Sequence, residues 1–232
     1  MTTAVIVAAG SSRRMGFDKL FAELHGRPVL AWAIAAFEQC AEVSAIIVVA
    51  SPARMSLVET TARQAAPQKF SAVVAGGAER HLSVAAGLDA VPDSAELIAV
   101  HDGARPLVGV GDISSVVARA RESGAAALAH PVVETLQRAD GEQRVCKSIA
   151  REGIWAMETP QIFRRDLLVR AYRKVRAEGS SPTDEVSAVL GINHPVFLVA
   201  STHFNLKITR PNDLELAKRL APGALSQARV VL

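Results

Sequence analysis

The chain has 232 residues, of which 50% are hydrophobic, 21% charged and only 4% aromatic. That balance excludes a disordered chain, and a globule of this length buries about 70–75% of its unfolded surface, so no disulfide staple is needed. The formal charge of +3, from 26 basic and 23 acidic residues, is spread along the chain without interleaved aromatics, which argues against a nucleic-acid binder.

The first apolar run, Ala4–Ala9, reads as a buried strand followed by a polar, glycine-containing loop from Gly10 to Lys19. Pro28 opens a helical stretch through Gln39. Ala45–Ala50 is a second strand, and Ser51-Pro52 has the form of an N-cap followed by proline at the first position of a helix toward Ala66. Phe70–Ala75 is a third strand, turned by Gly76-Gly77. A helix over Arg80–Ala90 and a fourth strand over Glu96–His101 follow, the latter ending at Asp102-Gly103. Asp112–Ser123 reads as a helix and Ala125–Pro131 as a fifth strand.

Beyond Pro131 the pattern changes. Thr135–Arg138 and Arg144–Ile149, around a turn at Asp140-Gly141, read as a hairpin that is polar on both sides and projects from the core. Helical patterns return at Arg164–Glu178 and Thr183–Leu190. Strands are expected at Val196–Val199 and Leu206–Ile208, and Thr209 with Pro211 begins a last helix to about Leu220. Strands that alternate with helices and are apolar throughout predict a mostly parallel α/β sheet covered on both faces. The expectation is a single domain over residues 1–232, with a β-arm projecting at about 132–152.

In such a sheet, ligands bind beyond the carboxyl ends of the strands, and three polar loops fall there. The first, Ala8 to Lys19, offers small residues that let backbone amides approach an anion, with Arg14 and Lys19 supplying charge for a polyphosphate. It is neither a Walker A loop nor GxGxxG, and alone it leaves a basic edge loop as the lesser alternative. The second is Gly76–Ser83. The third, Val100-His101-Asp102-Gly103-Ala104-Arg105-Pro106, places Asp102 where it either holds Mg²⁺ through one carboxylate or caps the next turn. With Leu206 and Ile208 facing the core, Lys207 would face the opposite side, where a lone lysine is usually just solvated and gains meaning only beside the other loops. The 6 histidines show no HxH or HExxH spacing, which speaks against a zinc enzyme. The 2 cysteines, Cys40 and Cys146, lack CxxC spacing, and with no basic leader and no apolar run near 20 residues the expectation is a cytoplasmic protein without a membrane segment.

Taken in order, A-A-G-x-x-x-R-M…K, G-G-x-x-R-x-x-S, H-D-x-A-R-P, a threonine-bearing arm, T-D-E and N-x-K-I-T resemble the 2-C-methyl-D-erythritol 4-phosphate cytidylyltransferases from Ala4 to about Leu220. The resemblance implies a Rossmann-like sheet of the nucleotide-diphospho-sugar transferase type. It implies an enzyme that joins CTP to a polyol phosphate and releases pyrophosphate with Mg²⁺ or another divalent cation. Carried over by position, Arg14, Lys19 and Lys207 are the catalytic charges, with Gly10 joining the first two around the triphosphate. Ala8, Ala9, Gly77 and Ser83 line the cytosine pocket, and Asp102 and Gly103 approach the ribose and the metal. Arg105, Thr135, Arg151 and Thr183 fall on the acceptor side. The family's arm reaches into a neighbouring subunit, which implies a homodimer. Two positions depart from the family: Ala78 stands where Asp often follows Gly-Gly, and Phe204 where an acidic residue usually precedes the Asn. They bear on base recognition and on a second metal ligand. A ribitol 5-phosphate cytidylyltransferase is the nearest alternative, disfavoured by Thr135 and Arg151, and a nucleotide-binding regulator without turnover is the alternative from another class.

Overall fold

The computed structural model describes residues 1–10 and 15–221. In chain order the elements are β1 (Thr2–Ala8), β2 (Glu23–Leu24), β3 (Arg27–Pro28), α1 (Val29–Gln39), β4 (Val43–Ala50), α2 (Met55–Ala65), β5 (Phe70–Ala75), α3 (Arg80–Asp89), β6 (Leu97–Asp102) and α4 (Val110–Ser123). They continue with β7 (Ala125–Pro131), β8 (Leu136–Ala139), β9 (Val145–Ile149), β10 (Trp155–Arg164), α5 (Arg165–Glu178), α6 (Glu185–Leu190), β11 (Phe197–Ala200) and α7 (Pro211–Leu220).

The main sheet has seven strands in the order β11-β7-β10-β6-β1-β4-β5. β1, β4, β5 and β6 pair in parallel, as do β7 and β11, while β10 runs antiparallel to both of its neighbours. The central strand β1 is apolar along its length because it is covered on both faces. Ala4, Ile6 and Ala8 pack with Leu30, Ile34 and Phe37 of α1 on one side. Val5, on the other side, packs with Val84 and Leu88 of α3 and Leu168 of α5. That period-2 division is the register of a strand buried between two helical layers. After β1 the chain builds outward through β4 and β5, then returns to the opposite edge of β1 with β6. The strand order therefore reverses beside β1, and a crevice opens at the carboxyl ends of β1 and β6.

Helix ends follow simple chemistry. α4 stops at Gly124 (φ 84°) and α5 at Gly179 (φ 61°), both left-handed positions that cost glycine little. Asp184 caps α6 by accepting the Ser187 N–H at 2.9 Å, so this helix begins two residues later than the expected Thr183.

Three expectations need correction. The ten-residue strand β10 was not expected. Its centre, Glu158-Thr159-Pro160-Gln161, breaks the apolar pattern, and its pairing with β7 is irregular between Met157 and Gln161. Leu206–Ile208 is not a strand: the Ile208 N–H bonds the Ala104 carbonyl at 2.9 Å, and the Ile208 carbonyl is taken by the Lys19 ammonium at 2.7 Å. Ser51 precedes a 3-10 turn over Pro52–Arg54, but its hydroxyl caps no helix and instead accepts from Arg54 Nε at 2.8 Å. The β8–β9 hairpin forms as expected and its residues are almost all exposed. Among the described residues, no helix is long and apolar enough to cross a membrane.

Candidate active site

The crevice is organised around Asp102, the last residue of β6. It pairs with Val7 of β1 on one side, and its own N–H donates to the Thr159 hydroxyl at 3.1 Å. Its carboxylate is 10% exposed and holds two cations, Arg80 Nε on Oδ1 at 3.1 Å and Lys207 Nζ on Oδ2 at 2.6 Å. Burial alone would raise its pKa, but Arg80, Lys207 and Arg105 outweigh burial and hold the carboxyl well below its ordinary range. Asp102 is therefore ionised at every pH at which the protein would work. A cavity of about 300 Å³ opens beside it, lined among others by Arg80, Arg105, Thr183 and Lys207. Arg105 and Lys207 also border a second, more apolar cavity of about 590 Å³, which reaches Val133, Phe204 and Leu216.

Arg105 is set by its main-chain partners. Nη1 donates to the Asn205 carbonyl at 2.6 Å and Nη2 to the Met157 carbonyl at 3.3 Å. Its Nε, and the Oδ1 of Asn205, are buried with no hydrogen-bond partner among the described residues. Behind the strand end, His101 is wholly buried and its pKa is pushed down to about 4 by desolvation, so the ring is neutral. It contacts the Thr159 hydroxyl at 3.0 Å and the Arg105 carbonyl at 3.2 Å, which makes it a brace for the loop.

The first and second loops meet at the mouth of the crevice. A side chain on Gly76 would lie 2.6 Å from Ala9 Cβ and 2.8 Å from Ser83 Oγ, so only glycine allows the two loops to close on each other. Gly77 is equally confined by Leu82 Cβ at 2.5 Å. Ser83 is buried and its hydroxyl donates to the Glu79 and Gly77 carbonyls at 3.0 and 3.3 Å, which holds the turn ahead of α3. Ala8 is buried, Ala9 half-buried and Gly10 exposed. Gly103 packs against β1, its N–H bonded to the Val7 carbonyl at 3.0 Å, and a side chain there would meet Leu30 Cδ1 at 2.8 Å.

Among the residues singled out from sequence, the structure thus gathers Asp102, Arg105, Thr183 and Lys207 around one cavity. Lys19 joins the same corner through Ile208, the residue after Lys207. Arg14 lies outside the described residues. Thr135 and Arg151 are exposed beside the hairpin, and Arg151 Nη1 donates to the Val133 carbonyl, so neither lines the Asp102 cavity.

Two residues escaped the sequence reading. Arg80 stood inside G-G-x-x-R-x-x-S without a role, yet it bridges Asp102 and the buried Glu185 of α6. Burial would lower its pKa, but Glu185 and then Asp102 raise it, so its charge is permanent. Arg54 ties the first loop down, with Nη1 on Asp18 Oδ2 at 2.7 Å and Nη2 on the Gly10 carbonyl at 2.6 Å. Its only sequence signal was a basic residue after Ser-Pro.

Asp102 suits a magnesium ion. It is a hard oxygen donor at the carboxyl end of β6, beside a cavity open to a ligand. One carboxylate completed by substrate phosphates is the usual arrangement for this ion.

The chain matches the family model described as 2-C-methyl-D-erythritol 4-phosphate cytidylyltransferase over residues 2–221. It is 40% identical to the 2-C-methyl-D-erythritol 4-phosphate cytidylyltransferase of Desulforamulus reducens over 93% of both chains. The crystal structure of the protein of that name from Thermus thermophilus superimposes with a TM-score of 0.77 at 33% identity, covering 99% of this chain and 100% of that one. The 4-diphosphocytidyl-2C-methyl-D-erythritol synthase structure from Anaerococcus prevotii gives a TM-score of 0.82 at 26% identity, over 94% of this chain and 96% of that one.

Proposed function

The chain belongs to the 2-C-methyl-D-erythritol 4-phosphate cytidylyltransferase family, and from that membership we infer how its own residues carry the reaction. The enzyme is a CTP-dependent nucleotidyltransferase of isoprenoid precursor synthesis. It transfers CMP from CTP to 2-C-methyl-D-erythritol 4-phosphate and gives 4-diphosphocytidyl-2-C-methyl-D-erythritol and pyrophosphate. A phosphate oxygen of the acceptor attacks the α-phosphorus, a new P–O bond forms, and the bond to the bridging oxygen of the β-phosphate breaks. The attacking oxygen is already an anion, so no general base is required. The barrier is the approach of one polyanion to another, and catalysis is alignment and charge neutralisation.

In this reading the triphosphate lies over Gly10, with Arg14 and Lys19 on its β and γ groups. The base sits against Ala8, Ala9, Gly77 and Ser83, where main-chain groups read the cytosine edge and the shallow floor excludes a purine. Asp102 and Gly103 face the ribose and the metal. Lys207 neutralises the α-phosphate as charge builds on it, and Arg105 and Thr183 receive the acceptor. A divalent cation held by Asp102, Mg²⁺ by preference, supplies further neutralisation of the phosphates when bound. Thr135 and Arg151 act on the acceptor of a second subunit through the arm at about 132–152. This assigns a homodimer, and it accounts for a two-stranded hairpin that would be only marginally stable alone. The protein works in the cytoplasm, binds no nucleic acid and needs no membrane.

The observation that carries this reading is the convergence of Lys207, Arg105 and Arg80 on Asp102 at the point where the strand order reverses. Incubation with CTP, Mg²⁺ and 2-C-methyl-D-erythritol 4-phosphate, followed by ³¹P NMR, is expected to show a diphosphate diester and free pyrophosphate. Faster turnover of ribitol 5-phosphate than of the methylerythritol substrate would overturn the acceptor assignment.

A further inference from the structure

Arg80 sits between two carboxylates and does not divide itself evenly. Its Nη1 and Nη2 donate to the two oxygens of Glu185 at 2.8 and 3.0 Å, whereas only Nε reaches Asp102, at 3.1 Å. Glu185 has no exposed surface and does not line the cavity, so it meets no substrate. It is nevertheless heavily fixed. The Tyr172 hydroxyl donates to its Oε1 at 3.0 Å, and the N–H groups of Glu185 and Val186 both donate to Gln161 Oε1 at 3.1 Å. A buried carboxylate is costly unless it is paired, and the partner Glu185 holds is the Arg80 guanidinium, through both of its Nη groups.

We propose that Glu185 is a positioning residue that limits Arg80 to a single bond with Asp102 and so keeps the Asp102 carboxylate available to the cations that take part in the reaction. This rests on the reading of Asp102 as the metal-holding carboxylate. Glu185 offsets part of the Arg80 charge, so Asp102 meets less than a full cation from that side, beside Lys207 and Arg105. Lys207 is 37% exposed on a flexible stem and can leave for a phosphate. Arg80, held by its fork, stays. Without the Glu185 charge the guanidinium fork is free to close on both oxygens of Asp102. Flanked by arginine and lysine together, Asp102 then offers a divalent cation a neutralised ligand.

Mn²⁺ binding to the enzyme–CTP complex, read by electron paramagnetic resonance without acceptor so that nothing turns over, tests this. E185Q is expected to weaken Mn²⁺ by about tenfold or more, as the loss of a neighbouring compensating charge predicts. It should also raise the free Mg²⁺ needed for half-maximal turnover. R80M/E185Q, in which the pair is removed whole, is expected to bind Mn²⁺ within about threefold of the parent, because the two changes are coupled. A residue with only a packing role would show no such rescue. Unchanged Mn²⁺ affinity in folded E185Q overturns the proposal, as does a double variant about tenfold or more weaker than the parent, which tests it even if E185Q does not fold. D102N separates the premise from the inference. Normal Mn²⁺ binding by D102N refutes the metal reading of Asp102 and the proposal with it. A weakened D102N beside an unaffected E185Q refutes the role of Glu185 alone.

Discussion

Lys207→Ala sets a rate effect against a stability effect, and on the proposed role of Lys207 the rate effect is the larger. The Lys207 ammonium is 2.6 Å from Asp102 Oδ2, but its side chain is 37% exposed, so water screens the pair and its contribution to folding is at most about 1 kcal/mol. Asp102 also keeps its bond to Arg80 after the change, so the carboxylate is not left without a partner. A domain stable by about 5–15 kcal/mol stays folded after such a loss. The catalytic effect is larger because the ammonium then faces phosphate charge in a site closed by substrate. Removing one such preorganised donor costs about 10²–10³ in turnover, or about 3–4 kcal/mol of barrier. Initial rates of pyrophosphate release with both substrates saturating, beside a thermal melt of the same sample, check this. A turnover loss of tenfold or less in protein with a normal melt would show Lys207 to be a surface charge. A rate loss that follows the unfolded fraction would refute the electrostatic argument in a different way.

Arg54→Ala removes the clamp on the Gly10 carbonyl and Asp18. It is expected to raise the KM for CTP by about tenfold through a loosened loop, with kcat nearly unchanged; equal losses in both parameters would disprove that. Thr135→Ala and Arg151→Ala should raise the KM for the acceptor and leave that for CTP alone, and an unchanged acceptor KM would remove the arm from the site. Gly76→Ala places a methyl group 2.6 Å from Ala9 Cβ. It should cost about 1–3 kcal/mol by denaturant unfolding and weaken CTP binding by calorimetry, whereas normal CTP affinity would detach the Gly76–Ala9 contact from the base pocket.

The parallel half of the sheet was legible because its strands are apolar on both faces and each ends in a polar loop. Phe70–Ala75 and Ala125–Pro131 were placed to the residue. β10 was hidden because Glu158-Thr159-Pro160-Gln161 interrupts its apolar pattern: Glu158, Thr159 and Gln161 face partners that only the folded chain supplies. The alternation around Lys207 predicts a strand residue facing out. The structure reaches a similar exposure by another route, an irregular segment stitched to Ala104 and Lys19. Arg80 and Arg54 carried no local signal of function. Their partners lie 105 and 22 residues away for Arg80, and 44 and 36 residues away for Arg54, separations that periodicity and short motifs do not span.

The reversed strand β10 also shapes how this protein can change. The chain leaves the sheet at Pro131, makes its hairpin excursion and re-enters at Trp155 opposite the same residue, because Trp155 pairs with Pro131. Exit and return thus share one doorway at the ends of β7 and β10. An excursion with such close ends can lengthen, shorten or be swapped between relatives without disturbing strand order, since loop closure depends only weakly on length. The layout makes the arm a module that can vary in length and composition while the seven-stranded frame beneath it keeps its order.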